Sequence, residues 1–170
     1  MSLPPVSVIV VSHGRPKALA RCLTGLSQLL YPNYEIVVVT NSEGQSALAP
    51  WLGQIKLLRF DEENISSARN LGIRNASADI VAFIDDDAVP EPTWLDHLSG
   101  AFASPAVAAG GYVIGRNGIS LQWGARVALA DATSESLQIV GTEPQFHRGE
   151  AGQAIKTEGT NMALRRDLLA

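Results

Sequence analysis

The 170-residue sequence has little of several features that mark other classes of protein. Its single cysteine, Cys22, cannot form an internal disulfide, which favours a reducing compartment such as the cytoplasm. Its longest apolar runs reach about six residues, far short of the ~20 that span a membrane, and residues 1–5 lack a signal-peptide pattern. Thirteen Lys and Arg against 17 Asp and Glu give a net charge of −4, the wrong sign for holding nucleic acid.

The composition is that of one globular domain. Hydrophobic residues make up 46% and charged residues 18%, and a chain of this length can bury roughly 70% of its unfolded surface. We expect a single domain over residues 4–170, truncated at its C-terminal end. Residues 1–3 could be left from cloning. The lack of an apolar span predicts a cytoplasmic protein, and peripheral attachment to a membrane through missing regions or partners stays open.

Strand and helix patterns alternate along the chain. Runs of β-branched and aliphatic residues predict strands at residues 6–11, 34–40, 55–60, 79–84 and 107–115. Apolar residues three and four apart predict helices at residues 17–30, 66–76 and 93–102. Residues 117–156 are left unassigned apart from a short apolar stretch at 125–130, and 159–164 form a last ordered segment.

This order predicts an α/β fold with a mostly parallel sheet covered by helices on both faces, because parallel neighbours need crossover connections. Ligands of such sheets bind beyond the carboxyl ends of the strands. We therefore expect the chemistry in the segments that follow Val11, Thr40 and Ile84.

Three consecutive carboxylates, Asp85, Asp86 and Asp87, follow a buried strand. Adjacent carboxylates repel one another unless a cation or wide solvation offsets their charge. In an extended backbone Asp85 and Asp87 would face one side and could share a divalent ion, Mg²⁺ or Mn²⁺, while Asp86 turns away. Such an ion could bridge the phosphates of a nucleotide. The alternative is an acidic turn that only ends the strand.

Other candidate residues carry weaker signals. The turn Ser12-His13-Gly14-Arg15 sits where α/β folds bind nucleotides, but it has neither a dinucleotide nor a P-loop motif and could be an ordinary loop. We consider Arg69 and Asn70 more consistent with a helix surface than with a site. The same holds for two histidines as metal ligands and two tryptophans as stacking platforms: His97, His147, Trp94 and Trp123.

Four segments in order resemble family 2 glycosyltransferases of the GT-A fold. They read PPVSVIVVSHGRPKALARCLTGL, YPNYEIVVVTNSEG, ENISSARNLGIRNASADIVAFIDDDAVPEPTWLDHL and EGTNMALRRDLL. The resemblance implies an inverting enzyme that transfers a sugar from a nucleotide-diphosphate donor to a saccharide or lipid-linked acceptor. Its D-x-D motif would be Asp85-Asp86-Asp87, with Asp85 and Asp87 at the metal and Asp85 also near the ribose.

The same resemblance assigns further roles. Asn161 would lie near the donor sugar and the acceptor entrance. The implied nucleotide-binding residues are Val11, Ser12, His13, Thr40, Asn41, Asp85 and Asp86.

Two departures from the family pattern matter. Thr40-Asn41 stands where the family usually has an Asp that contacts the base, which puts a uridine preference in doubt. The family's acidic general base has no matching position, so we expect it beyond Ala170; Asp131, Glu135 and Glu158 are not preferred as substitutes. The alternative function is a non-catalytic domain that binds a nucleotide sugar without turnover.

Overall fold

A computed structural model describes residues 3–45, 48–103, 108–110, 113–115, 128–130, 137–139 and 159–169. The strands are β1 (Val6–Ser12), β2 (Tyr34–Thr40), β3 (Lys56–Arg59), β4 (Ile80–Asp85), β5 (Ala108–Gly110), β6 (Ala128–Ala130), β7 (Leu137–Ile139) and β8 (Met162–Arg165). The helices are α1 (Pro16–Leu26), α2 (Ser42–Gln45), α3 (Ile65–Asn75) and α4 (Trp94–Ala101). None of these helices is long and apolar enough to cross a bilayer.

The central sheet has six strands in the order β3-β2-β1-β4-β8-β5. Strand β1 pairs in parallel with β2 and β4, and β2 pairs in parallel with β3. Strand β8 runs antiparallel to both β4 and β5, while β6 and β7 form a separate antiparallel pair. The predicted mostly parallel α/β sheet is confirmed.

Alternate residues of the central strands pack on opposite faces of the sheet. Val8 and Val10 of β1 belong to the core that includes Leu19 and Leu23 of α1, whereas Ile9 between them packs in a second cluster. Both faces are therefore covered, which is why β1, β2 and β4 read as nearly continuous apolar runs.

The prediction that the first helix continues to Leu30 is wrong. Helix α1 ends at Leu26, and the hydroxyl of Ser27 donates to the Thr24 carbonyl at 2.8 Å. Such local side-chain bonds compete with helix continuation. The Leu30 amide instead donates to the Pro92 carbonyl at 2.9 Å, and Leu30 is 71% exposed.

The other predicted elements are found with small shifts. Of the predicted fifth strand at 107–115, the structure describes the strand Ala108–Gly110, while residues 107 and 111–112 lie outside the described residues. Most of 117–156, including much of the apolar stretch at 125–130, lies outside the described residues.

Two helical glycines give a matched test of helix–sheet packing. A Cβ on Gly72 of α3 would lie 2.7 Å from Ile9 Cγ2, whereas a Cβ on Gly100 of α4 would meet nothing within 4 Å. We expect Gly72→Ala to lower the free energy of unfolding by about 1–3 kcal/mol through overpacking. Gly100→Ala should leave it unchanged or raise it by up to about 1 kcal/mol. Urea unfolding of both variants measures this, and equal effects would contradict the packing.

Candidate donor-binding site

The carboxyl ends of β1, β2 and β4 lie side by side. Ser12 of β1 is in register with Thr40 of β2, and Val11 with Asp85 of β4. The loops that leave these strands therefore share one edge of the sheet, which is where ligands of such sheets bind.

The three consecutive aspartates occupy different environments. Strand β4 ends at Asp85, and the Ala88 amide donates to the Asp85 carbonyl at 3.1 Å, so the chain turns at Asp86. The side chains of Asp85 and Asp87 are 41% and 33% exposed, whereas that of Asp86 is fully buried. Asp86 is thus set apart from the other two by this turn, not by the strand alternation on which the prediction relied.

Asp86 is the polar centre of the site. Its Oδ2 accepts a hydrogen bond from the Ser12 hydroxyl at 2.6 Å, and its Oδ1 lies 2.5 Å from Arg15 Nη2. Burial raises the pKa of Asp86, while the Ser12 hydrogen bond and the Arg15 charge oppose that rise. A carboxylate without exposure is thereby held between β1 and the start of α1.

Each of the two outer aspartates contacts an arginine. Arg15 Nη1 lies 3.4 Å from Asp87 Oδ2, and Arg69 Nη2 lies 3.3 Å from Asp85 Oδ1. The Arg69 guanidinium also lies 5.6 Å from the centre of the Phe83 ring. The expectation that Arg69 belongs to a helix surface is therefore wrong.

The sequence carries a signal for each of the two arginines. Ala68 and Gly72 are the small residues by which α3 approaches the sheet, and Arg69 lies beside them on the helix. Arg15 precedes the first turn of α1, which has no acidic residue. Because a cation at a helix N-terminus is unfavourable, Arg15 at that position indicates a partner elsewhere.

The start of β8 closes the Asp85 side of the site. Thr160 Oγ1 accepts a hydrogen bond from the Asp85 amide at 3.2 Å, and the Gly159 carbonyl accepts one from Arg69 at 3.2 Å. Asn161 Oδ1 accepts from the Trp94 indole at 2.9 Å. Trp94 packs against the core as expected, and Asn161 is brought to the same sheet edge as Asp85.

The loop after β2 is tied to the loop after β1. Asn41 Oδ1 accepts hydrogen bonds from the amides of Gly14 at 3.2 Å and Gly44 at 3.1 Å, and Gly14 has a φ of +64° that favours glycine. Asn41 and Thr40 are both buried, and Thr40 Oγ1 has no hydrogen-bond partner among the described residues. Asn41 thus links the two loops to each other, and the contact of Thr40 and Asn41 with a nucleotide stays a prediction.

The remaining candidates lie at the margin or outside. His13 is partly exposed, with Nε2 3.6 Å from Glu63 Oε1. Cys22 is buried, and this burial, with a smaller effect of the nearby aspartates, raises the pKa of its thiol to about 12, which favours the neutral thiol over the thiolate. Among the described residues, no three His, Cys, Asp or Glu side chains form a group that could hold a metal ion. His97 therefore belongs to no such group. The other candidates lie outside the described residues: Trp123, Asp131, Glu135, His147 and Glu158.

Known proteins similar to this chain include archaeal glycosyltransferases. Glycosyltransferase AglE of Haloferax volcanii is 34% identical over 104 residues, which are 56% of this chain and 34% of that protein. Glucosyl-dolichyl phosphate glucuronosyltransferase of the same organism is 28% identical over 173 residues, covering 96% of this chain and 53% of that protein. The chain thus spans about half, or less, of these relatives.

Solved structures share the fold. The mannosyltransferase PcManGT from Pyrobaculum calidifontis, in complex with GDP-Man and Mn²⁺, matches 99% of this chain and 46% of its own, with a TM-score of 0.68 and 21% identity. S. aureus TarS 1-349 in complex with UDP-GlcNAc matches 97% of this chain and 46% of its own, with a TM-score of 0.66 and 19% identity.

The family model of glycosyl transferase family 2 matches residues 7–169. That range contains the ends of β1, β2 and β4 and the start of β8, which together form the site. The chain therefore belongs to glycosyl transferase family 2 and has its GT-A fold.

Proposed function

We propose that this chain is the donor-binding part of an inverting glycosyltransferase that takes a sugar from a nucleotide-diphosphate donor. The observation that carries the proposal is the carboxylate turn at the end of β4, in which Asp86 is buried and Asp85 and Asp87 remain accessible. Nucleotide-sugar complexes of PcManGT and TarS, which share the fold, support it. The inverting outcome rests on the family resemblance.

The residues fit a divalent cation, either Mg²⁺ or Mn²⁺. Asp85 and Asp87 offer hard oxygen ligands. The positive guanidinium of Arg15 already lies against the Asp87 carboxylate, at a position that a metal ion could take. Such ions often take one or two carboxylates from the protein and complete their shell with substrate phosphates and water. A bound ion would offset the negative charge that develops on the departing diphosphate.

The chain's own residues would hold this arrangement. Ser12 and Arg15 fix the buried Asp86 and so set the direction of the turn that carries Asp87. Arg69 and Thr160 fix Asp85 from the other side. Val11, Ser12 and His13, with the loop that begins at Thr40 and Asn41, would form the nucleoside wall. Asn161, fixed by Trp94, would face the sugar and the acceptor entrance.

The acceptor and the compartment are further parts of the proposal. A relative is named for action on glucosyl-dolichyl phosphate, which supports a lipid-linked acceptor over a free saccharide. Sugar transfer from a nucleotide donor by a chain with one buried cysteine fits the cytoplasm. The alternative function is a donor-binding domain without turnover. Donor hydrolysis and sugar transfer, measured separately, distinguish the two.

Nucleotide binding should depend on a divalent cation, because a diphosphate and two carboxylates repel one another without one. Calorimetric titration with UDP and with GDP, in Mn²⁺ and in chelator, should show affinity at least tenfold weaker in chelator, about 1.4 kcal/mol. The control Asp79→Ala removes a 91% exposed carboxylate at the loop that precedes β4 and should bind normally. Equal affinity of the unmodified protein with and without chelator would refute the metal role.

Asp86→Ala should mainly lower the stability of the fold, whereas Asp87→Ala should mainly abolish Mn²⁺-dependent nucleotide binding. Removing Asp86 leaves the buried Ser12 hydroxyl without its acceptor and should lower the free energy of unfolding by about 2 kcal/mol. Removing Asp87 breaks a partly exposed ion pair and should change it by only about 0.5 kcal/mol, while Mn²⁺-dependent nucleotide binding is lost. Urea unfolding and titration of both variants test this. Identical stability losses, or intact Mn²⁺-dependent binding in Asp87→Ala, would reject the assigned roles.

A further inference from the structure

Arg15 bridges two of the three aspartates of the carboxylate turn. Its Nη2 lies 2.5 Å from Asp86 Oδ1 and its Nη1 lies 3.4 Å from Asp87 Oδ2. The two contacts differ in character, because Asp86 is fully buried and Asp87 is 33% exposed. The Asp86 contact belongs to the folded framework, whereas the longer Asp87 contact lies where solvent and ions compete for it.

The guanidinium of Arg15 borders open space into which it could move. Its side chain is 54% exposed, and it lines a cavity of about 460 Å³ together with Ala18, Arg21 and Asp87. This cavity begins at the carboxylate turn and follows one face of α1, since its helical lining residues are three apart. Because Arg15 and Asp87 both line this cavity, a phosphate group bound in it would lie near the guanidinium.

Resting on the proposed function, we propose that Arg15 is a positioning residue shared between Asp87 and the donor diphosphate. In the free protein it serves as a cation for Asp87, which weakens the attraction of that carboxylate for a divalent ion. When the metal and nucleotide bind, the ion takes over Asp87 and Arg15 contacts the phosphates. Metal and nucleotide binding are therefore coupled through one side chain.

This exchange predicts opposite changes on removing the charge. In Arg15→Gln, Mn²⁺ alone should bind about fivefold more tightly, because the guanidinium that competes with the ion for the Asp87 carboxylate is gone. The size of the effect is that of an ordinary ion pair. In the same variant UDP or GDP with saturating Mn²⁺ should bind about fivefold more weakly, because a phosphate contact is lost. A residue that only supported the fold would weaken both.

Arg21→Gln is the matched control. Arg21 lies on α1, which Arg15 precedes, and lines the same cavity, but it forms no ion pair with another described residue. It should leave the affinity for Mn²⁺ alone within about twofold of that of the unmodified protein, since charges separated by solvent are screened. Arg15→Lys retains the charge and should fall between Arg15→Gln and the unmodified protein in both titrations.

A measurement without metal tests the free state by itself. In chelator, Arg15→Gln should lower the Tm by about 3 °C or more, because the buried Asp86 loses its cation, and Arg21→Gln should change it by less than about 1 °C. Added Mn²⁺ should restore more of the Tm in Arg15→Gln than it adds to the unmodified protein.

The outcomes separate the two levels of the proposal. Tighter Mn²⁺ binding with weaker nucleotide binding in Arg15→Gln supports the exchange. If the unmodified protein binds Mn²⁺ and nucleotide but Arg15→Gln binds Mn²⁺ no more tightly, the exchange is rejected and the proposed function stands. If neither protein binds Mn²⁺ or nucleotide, both are rejected.

Discussion

The burial of one carboxylate determines the arrangement of the site. Asp86 has no exposed surface, and a carboxylate in that position is tolerated only when hydrogen bonds and a nearby cation replace water. Ser12 at the end of β1 and Arg15 at the start of α1 supply them. Because these partners come from a neighbouring strand and helix, the turn after β4 cannot rotate freely, and its two remaining carboxylates keep defined positions.

Electrostatic balance at the sheet edge is local. The chain carries a net charge of −4, yet two guanidinium groups offset two of the three carboxylates at this edge. Arg15 precedes α1 and Arg69 lies in α3, and these two helices pack on opposite faces of the sheet, α1 on the face of Val10 and α3 on the face of Ile9. The carboxylates are thus stable in the free protein, and the two outer ones, Asp85 and Asp87, stay accessible to a divalent cation, which would repel an arginine on arrival.

Sequence patterns predicted the sheet better than the contacts at its edge. The apolar runs of β1, β2 and β4 are long and bounded by turn residues, so their existence and parallel order follow from periodicity and crossover rules. The prediction that strand alternation continues through Asp87 does not hold, because β4 ends at Asp85 and the chain turns at Asp86. The aspartates that pair with Arg15 and Arg69 lie 16 or more residues away in sequence, and periodicity carries no information on such pairs.

The two outer aspartates differ in what a bound ion would disturb. Asp87 is linked through its carboxylate to Arg15, whereas Asp85 is also linked through its backbone amide to Thr160 at the start of β8. An ion that takes the Asp85 carboxylate therefore competes with Arg69 but leaves the link to β8 intact. Because β8 runs antiparallel to β4, the hydrogen bond between the Asp85 amide and Thr160 keeps Gly159 and Asn161 beside the end of β4. The part of the site that we propose faces the sugar can thus stay ordered when an ion displaces an arginine from a carboxylate.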